Sequence, residues 1–166
     1  MTADRIALSG RIQTEMSDLA RVVARCARIF AKAQESGDTD WLDGVALNLH
    51  AFYAGVESIF EEIARDLDDA LPGGSEWHRS LLMQMAAELP GIRPPIIGRT
   101  TRDCLDTYRG FRHVVRNVYT FNLRPARLRE LVEELPACYE ALAQDITSFN
   151  TFLLDRAPDA APTPRT

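Results

Sequence analysis

Apolar residues recur at every third or fourth position through most of this chain, and the strict alternation of a half-buried strand is missing. From about Asp4 to Gln34, Ile12, Met16, Leu19, Val22, Val23, Cys26, Ile29 and Phe30 keep that spacing between charged positions, which predicts one long amphipathic helix. Gly37 and Asp38 close it, and Asp38, Thr39 or Asp40 can cap its successor. The second helix runs from about Trp41 to Leu71, with Leu42, Val45, Leu49, Phe52, Val56, Ile59, Phe60, Ile63 and Leu67 on its apolar face, until Pro72-Gly73-Gly74 stops it. Two such helices joined by so short a link predict an antiparallel hairpin.

Ser75 is placed to cap a shorter helix, about Trp77 to Leu89, whose Trp77, Leu81, Leu82 and Met85 face the hairpin. Pro90, Gly91, Pro94 and Pro95 impose an irregular loop, and Ile96 and Ile97 within it read as a plug into the core. Thr100 or Thr101 opens a fourth helix that fades near Phe121-Asn122. Pro125 suits the first turn of a fifth, carrying Leu128, Leu131, Leu135, Leu142, Ile146, Phe149 and Leu153, with a kink or interruption expected at Pro136. The expectation is an all-α bundle of about five helices forming one domain over 1–156, followed by a disordered Ala/Pro/Thr tail at 157–166.

The fourth helix stands apart chemically. Arg109, Arg112 or His113, Arg116, and Tyr119 or Thr120 recur at helical spacing and form a cationic stripe, while Phe111, Val114, Val115 and Val118 fall on the opposite side. Between Arg99 and Arg129 there are eight arginines against Asp103 and Asp106, a surplus of six in a chain whose net charge is −5, so the remainder carries −11. Guanidinium forks grip phosphate oxygens, and an imidazole moves protons near neutral pH, so a nucleotide or nucleic acid is the natural ligand class. The plainer reading is a solvated basic face, and because Lys32 is the only lysine, arginine as such proves little. The overall negative charge disfavours broad, non-specific duplex binding and points to a confined site.

Other chemistries find little support. There is no Gly-rich phosphate loop, metalloprotease helix, nucleophile elbow or cysteine nucleophile motif, so neither a metal nor a cofactor is expected. Cys26, Cys104 and Cys138 are odd in number and widely spaced, which argues against a disulfide framework or zinc site and fits a reduced, cytoplasmic protein. No apolar run approaches the roughly 20 residues of a membrane span, and the N-terminus lacks a signal-peptide core. His50 and His78 read as packing residues, and Asn48, Glu57 and Glu61 as ordinary polar positions able to orient a cationic partner.

Four strings carry a resemblance: Leu47-Asn48-Leu49-His50-Ala51-Phe52-Tyr53 with Glu57; Trp77-His78-Arg79-Ser80-Leu81-Leu82-Met83-Gln84-Met85; Arg93-Pro94-Pro95; and Tyr108-Arg109-Gly110-Phe111-Arg112-His113-Val114-Val115-Arg116-Asn117-Val118-Tyr119. On these the chain resembles the HEPN superfamily, and within it the HepT-like toxins encoded beside a minimal nucleotidyltransferase. The resemblance implies a homodimeric, metal-independent endoribonuclease whose motif helices meet in one cleft. The family motif is an Arg followed by a polar residue, with a His further along the helix and a Tyr just beyond it. Setting Arg112 on that Arg and Tyr119 on that Tyr puts Asn117 at the His position and His113 at the polar one, an exchange across one helical turn.

The implied roles are Arg112 and Arg116 on the scissile phosphate, Arg109 on RNA, His113 as general base on the ribose 2′-hydroxyl, and Asn117 orienting phosphate or ring. Products would be 2′,3′-cyclic phosphate and 5′-hydroxyl ends. The resemblance also implies restraint by a partner nucleotidyltransferase antitoxin that transfers AMP to Tyr119. Asparagine cannot act as a base, so a non-catalytic module binding RNA, nucleotide or a partner is the alternative. A structural dimer whose arginines pair with acidic side chains is a third reading.

Overall fold

The computed structural model describes residues 2–117, 119 and 122–155. Five α-helices follow in order: α1 Thr2–Ser36, α2 Trp41–Ile63, α3 Trp77–Ala86, α4 Arg99–Asn117 and α5 Pro125–Asp155. Among the described residues the backbone makes no strand, only an isolated bridge between Leu89 and Arg93. The all-α bundle stands as expected. The tail at 157–166 lies outside the described residues, as do Val118, Thr120 and Phe121.

The hairpin is antiparallel, because contacts between α1 and α2 run in opposite directions along the two helices. Arg11 pairs with Glu62 (2.8 Å) and Asp66 near the open end, and the Lys32 ammonium sits 5.2 Å from the Trp41 ring near the turn. Midway the Leu19 side chain packs onto Gly55, where a β-carbon would meet it at 2.7 Å, so hydrogen is the only side chain that fits without displacing Leu19. Gly37, at φ +66°, provides the left-handed turn after α1. No cap forms as anticipated for α2: Asp40 precedes it without a side-chain hydrogen bond, and Asp38 instead accepts from the Asp40 amide (2.9 Å).

α2 ends earlier than its apolar pattern suggests. At Ala64–Asp68 it widens into a π-helical turn, and Asp69 then adopts φ +51°. The cause is Asp68, which enters the interior to meet Arg93, and both side chains are fully buried. Arg93 Nε and Nη2 donate to its two oxygens at 2.6 and 2.7 Å. The same guanidinium donates to the carbonyls of Gln84, Ala87 and Pro94, so the loop after α3 is bolted to the end of α2. α3 stops at Ala86, short of Leu89, and Glu76 stands at its start where Ser75 was expected. Ile96 and Ile97 plug the core as anticipated, each 2% exposed, with the Ile96 amide donating to Met85.

Of the kink or interruption expected in α5, the interruption does not occur, and the helix runs through Pro136. Leu131, Leu135, Cys138 and Leu142 are all buried on either side of it, and that burial outweighs the roughly 3 kcal/mol of an interior proline. Tyr139 reaches the Met16 carbonyl of α1 (3.2 Å) and Arg129 lies over Phe30, so α5 is antiparallel to α1. Cys104 of α4 and Cys138 of α5 form a disulfide, which corrects the expectation of unpaired thiols. Their sequence separation of 34 gave no sign of it, because only the α4/α5 crossing brings their Cα atoms to 5.8 Å. Cys26 stays free, and burial pushes its thiol up to about 12, which suits a core residue more than a nucleophile.

Candidate functional site

α4 is held on three sides before it offers anything to solvent. Asp145 of α5 accepts from the Gly98 amide (2.9 Å) and the Thr101 hydroxyl (2.6 Å), placing a carboxylate at the positive end of the helix. Leu105, Tyr108 and Phe111 are buried; the Tyr108 ring meets Phe52 edge-on at 5.3 Å, and its hydroxyl donates to the Leu131 carbonyl. With the disulfide one turn away, little freedom remains along this face. Val114 departs from its expected core position and is 42% exposed.

The other face borders a cleft of about 360 Å³ between the start of α3 and the second half of α4. Arg109, Arg112, His113, Arg116 and Asn117 all line it, so the sequence-predicted cluster does converge, and α3 adds His78 and Arg79. Tyr119 lies beyond the end of α4 and is 74% exposed. Arg109 is partly engaged, donating to Asp106 at 2.7 Å, and it also borders a larger, mostly apolar hollow of about 540 Å³ formed with Leu123, Arg127 and Leu128. Asn117 spends an amide hydrogen on its own helix, donating to the His113 carbonyl at 2.7 Å, while the His113 ring is exposed.

Arg112 is the centre of the arrangement, and it points inward. Its Nη1 lies 3.2 Å from His78 Nε2 and its Nη2 3.8 Å from Glu57 Oε1, while Nε is buried without a hydrogen-bond partner. Glu57, only 5% exposed, takes His78 Nδ1 on its other oxygen at 2.6 Å. A guanidinium can only donate, so for neutral His78 the Nε2 position is the acceptor and the ring proton sits on Nδ1, facing Glu57. Trp77 stacks on the ring at 3.7 Å between centroids. His78 is thus a hydrogen-bonded packing residue, as its sequence setting suggested, and it also lines the cleft. Glu57 carried a legible signal, an acid in line with Tyr53 and Phe60 on the apolar stripe of α2. His78 carried none, because its partners come from two other helices.

His50 belongs to the same neighbourhood. Burial lowers its pKa from the ordinary 6.5, the charges of Arg112 and Arg116 lower it further, and Glu57 opposes them. All three histidines of the chain thus lie around the arginine face of α4. Asn48, by contrast, donates to the Gly44 carbonyl within α2 and makes no hydrogen bond to the cleft. Among the described residues no group of three or more His, Cys, Asp or Glu gathers in a way that would hold a metal ion.

Helical bundle and arginine-lined cleft together define a small α-domain. The chain belongs to the HepT-like protein family, whose model matches residues 44–153. That span begins in α2 and ends in α5, so it includes every side chain of the cleft. No curated protein and no solved structure matches the chain. No helix among the described residues is long and apolar enough to cross a membrane.

Proposed function

We propose that this protein is a metal-independent endoribonuclease, the toxin of a toxin–antitoxin pair, acting on RNA. The observation that carries the reading is Arg112: a guanidinium with an unsatisfied buried Nε, among three further arginines, lining a cleft of about 360 Å³ in a HepT-like chain. Arg112 and Arg116 bind the scissile phosphate and stabilise the charge that develops on it, Arg109 holds the adjoining backbone, Asn117 orients the phosphate, and His113 serves proton transfer. Attack by the ribose 2′-oxygen leaves a 2′,3′-cyclic phosphate and a 5′-hydroxyl. Analysis of both end groups after cleavage in EDTA tests the chemistry, and a 3′-hydroxyl product or dependence on a divalent ion counts against it.

The working form is a homodimer in which two α4 helices approach each other. Exposed Val114 and the apolar hollow beside it favour such a contact. Sedimentation at micromolar concentration checks this, and a monomer that cleaves RNA removes the need for a partner copy. Regulation is by a cognate minimal nucleotidyltransferase that adenylylates Tyr119, whose exposure suits modification. Charge added at Tyr119, two residues beyond the cleft-lining Asn117, would repel a phosphodiester. Intact mass after incubation with that enzyme and ATP reads the transfer directly. The second reading, a binding module without catalysis, is favoured by one observation: Asn117, at the family's histidine position, is turned onto its own helix. Saturable RNA binding with intact RNA would select it.

A further inference from the structure

Among the described residues the exposed ring of His113 has no partner to fix its tautomer, whereas a second imidazole in the same cleft has three. We propose that His78 is the general base of the cleft and Glu57 its positioning carboxylate, an inference that rests on the RNA-cleaving reading above. Glu57 Oε2 at 2.6 Å from Nδ1 fixes the proton there, Trp77 stacks on the ring, and the Nε2 lone pair is turned toward Arg112 Nη1 at 3.2 Å. That is the arrangement by which a buried carboxylate holds a histidine ready to accept a proton on its far nitrogen. The difference from an inert ion-pair network lies in Arg112, whose Nε is buried and unpaired and whose Nη2 stays 3.8 Å from Glu57. A phosphate oxygen gives this guanidinium better acceptors than an imidazole nitrogen does. Drawing Arg112 toward the phosphate uncovers Nε2 beside the scissile group.

The step balances without a co-reactant. Nε2 removes the proton of the 2′-hydroxyl as O2′ bonds to phosphorus, the P–O5′ bond breaks, and the imidazolium of His113 protonates the leaving O5′. His78 ends with one proton more and His113 with one fewer, and water restores both. The charged and titratable groups that line the cleft with His78 are Glu76 and Arg79 at the start of α3 and Arg109, Arg112, His113 and Arg116 on α4, and Glu57 of α2 is bonded to its ring. This pairing also explains how a chain with asparagine at the family's histidine position retains a base.

Two measurements on the full chain decide it. In the first, an end-labelled single-stranded RNA is cleaved in EDTA by wild type, His78→Ala and Glu57→Gln across pH. His78→Ala is expected to lower kcat by about 10²–10⁴-fold with little change in KM and to abolish the acidic limb of the pH profile. Glu57→Gln is expected to lower kcat about 10-fold and displace that limb. Cleavage by His78→Ala at the wild-type rate, or a loss that leaves the shape of the pH profile intact, overturns the assignment while the nuclease reading stands. No cleavage by wild type overturns both. The second measurement needs no variant: ¹⁵N spectra of the wild-type imidazole are expected to place the neutral proton of His78 on Nδ1. A proton on Nε2 overturns the inference.

Discussion

Two arginines in this molecule face buried carboxylates, and they are bonded in opposite ways. Arg93 is fully buried with Asp68, and each of its donor nitrogens is bonded, to both carboxylate oxygens and to the carbonyls of Gln84, Ala87 and Pro94. Arg112 has 18% of its side chain exposed; one hydrogen bond joins it to His78, its ion pair with Glu57 spans 3.8 Å, and its Nε has no partner. A saturated guanidinium has nothing left to offer a ligand, and its energy is invested in joining the end of α2 to the loop after α3. An unsaturated one in a cleft gains by meeting an anion. Under the proposed function, donor accounting and not burial alone separates the structural Arg93 from the ligand-binding Arg112.

The sharpest way to break the comparison is to remove each arginine in turn. Arg93→Ala leaves Asp68 buried and unpaired, and is expected to cost about 3–5 kcal/mol in denaturant unfolding, with the cleavage rate per folded molecule unchanged. Arg112→Ala is expected to cost only about 1–2 kcal/mol in stability, since Glu57 retains His78, while cleavage falls about 10²–10³-fold. Equal stability losses for the two variants would erase the distinction. Arg112→Lys is expected to remain defective, because an ammonium cannot span two phosphate oxygens as a fork does.

The disulfide braces α4 at Cys104, about two turns before Arg112. Reducing Cys104–Cys138, whose sequence separation is 34, is expected to lower stability by about 2–4 kcal/mol, read as a shift in Tm with and without reductant. An unchanged Tm would show that packing alone holds α4 on α5.

The smallest effect lies in titration. The folded-state pKa of His50 is lowered, so as pH falls through its ordinary 6.5 the unfolded chain takes a proton that the folded chain resists, and stability falls with it. Above that window His50 is neutral in both states and contributes nothing to the pH dependence. His50→Gln is expected to flatten the acid side of the stability profile. A bound oligonucleotide neutralises Arg112 and Arg116 and is expected to lift His50 back toward its ordinary value in an NMR titration. No movement on binding would place the phosphates elsewhere.

Helix periodicity made most of this fold legible. The α1/α2 hairpin, the Ile96-Ile97 plug and Pro125 at the head of α5 all follow from local spacing, because each depends on neighbours within a few turns. The early end of α2 and the continuity of α5 through Pro136 did not, since Asp68 is claimed by Arg93 and Pro136 by the core across the bundle. The same divide runs through the site. Arg109, Arg112, His113, Arg116 and Asn117 share one helix and could be read from it. Glu57 and His78 reach Arg112 from two other helices, and no spacing along the chain encodes that meeting.

The most direct single measurement is cleavage of a pooled tRNA and messenger RNA substrate in EDTA by wild type, Arg112→Ala and Arg93→Ala, with the folded fraction of each determined in the same buffer. The predicted result is cleavage by wild type and, per folded molecule, by Arg93→Ala, with Arg112→Ala slower by about 10²-fold or more. Intact RNA with folded wild type, or undiminished cleavage by Arg112→Ala, would contradict an Arg112-centred ribonuclease.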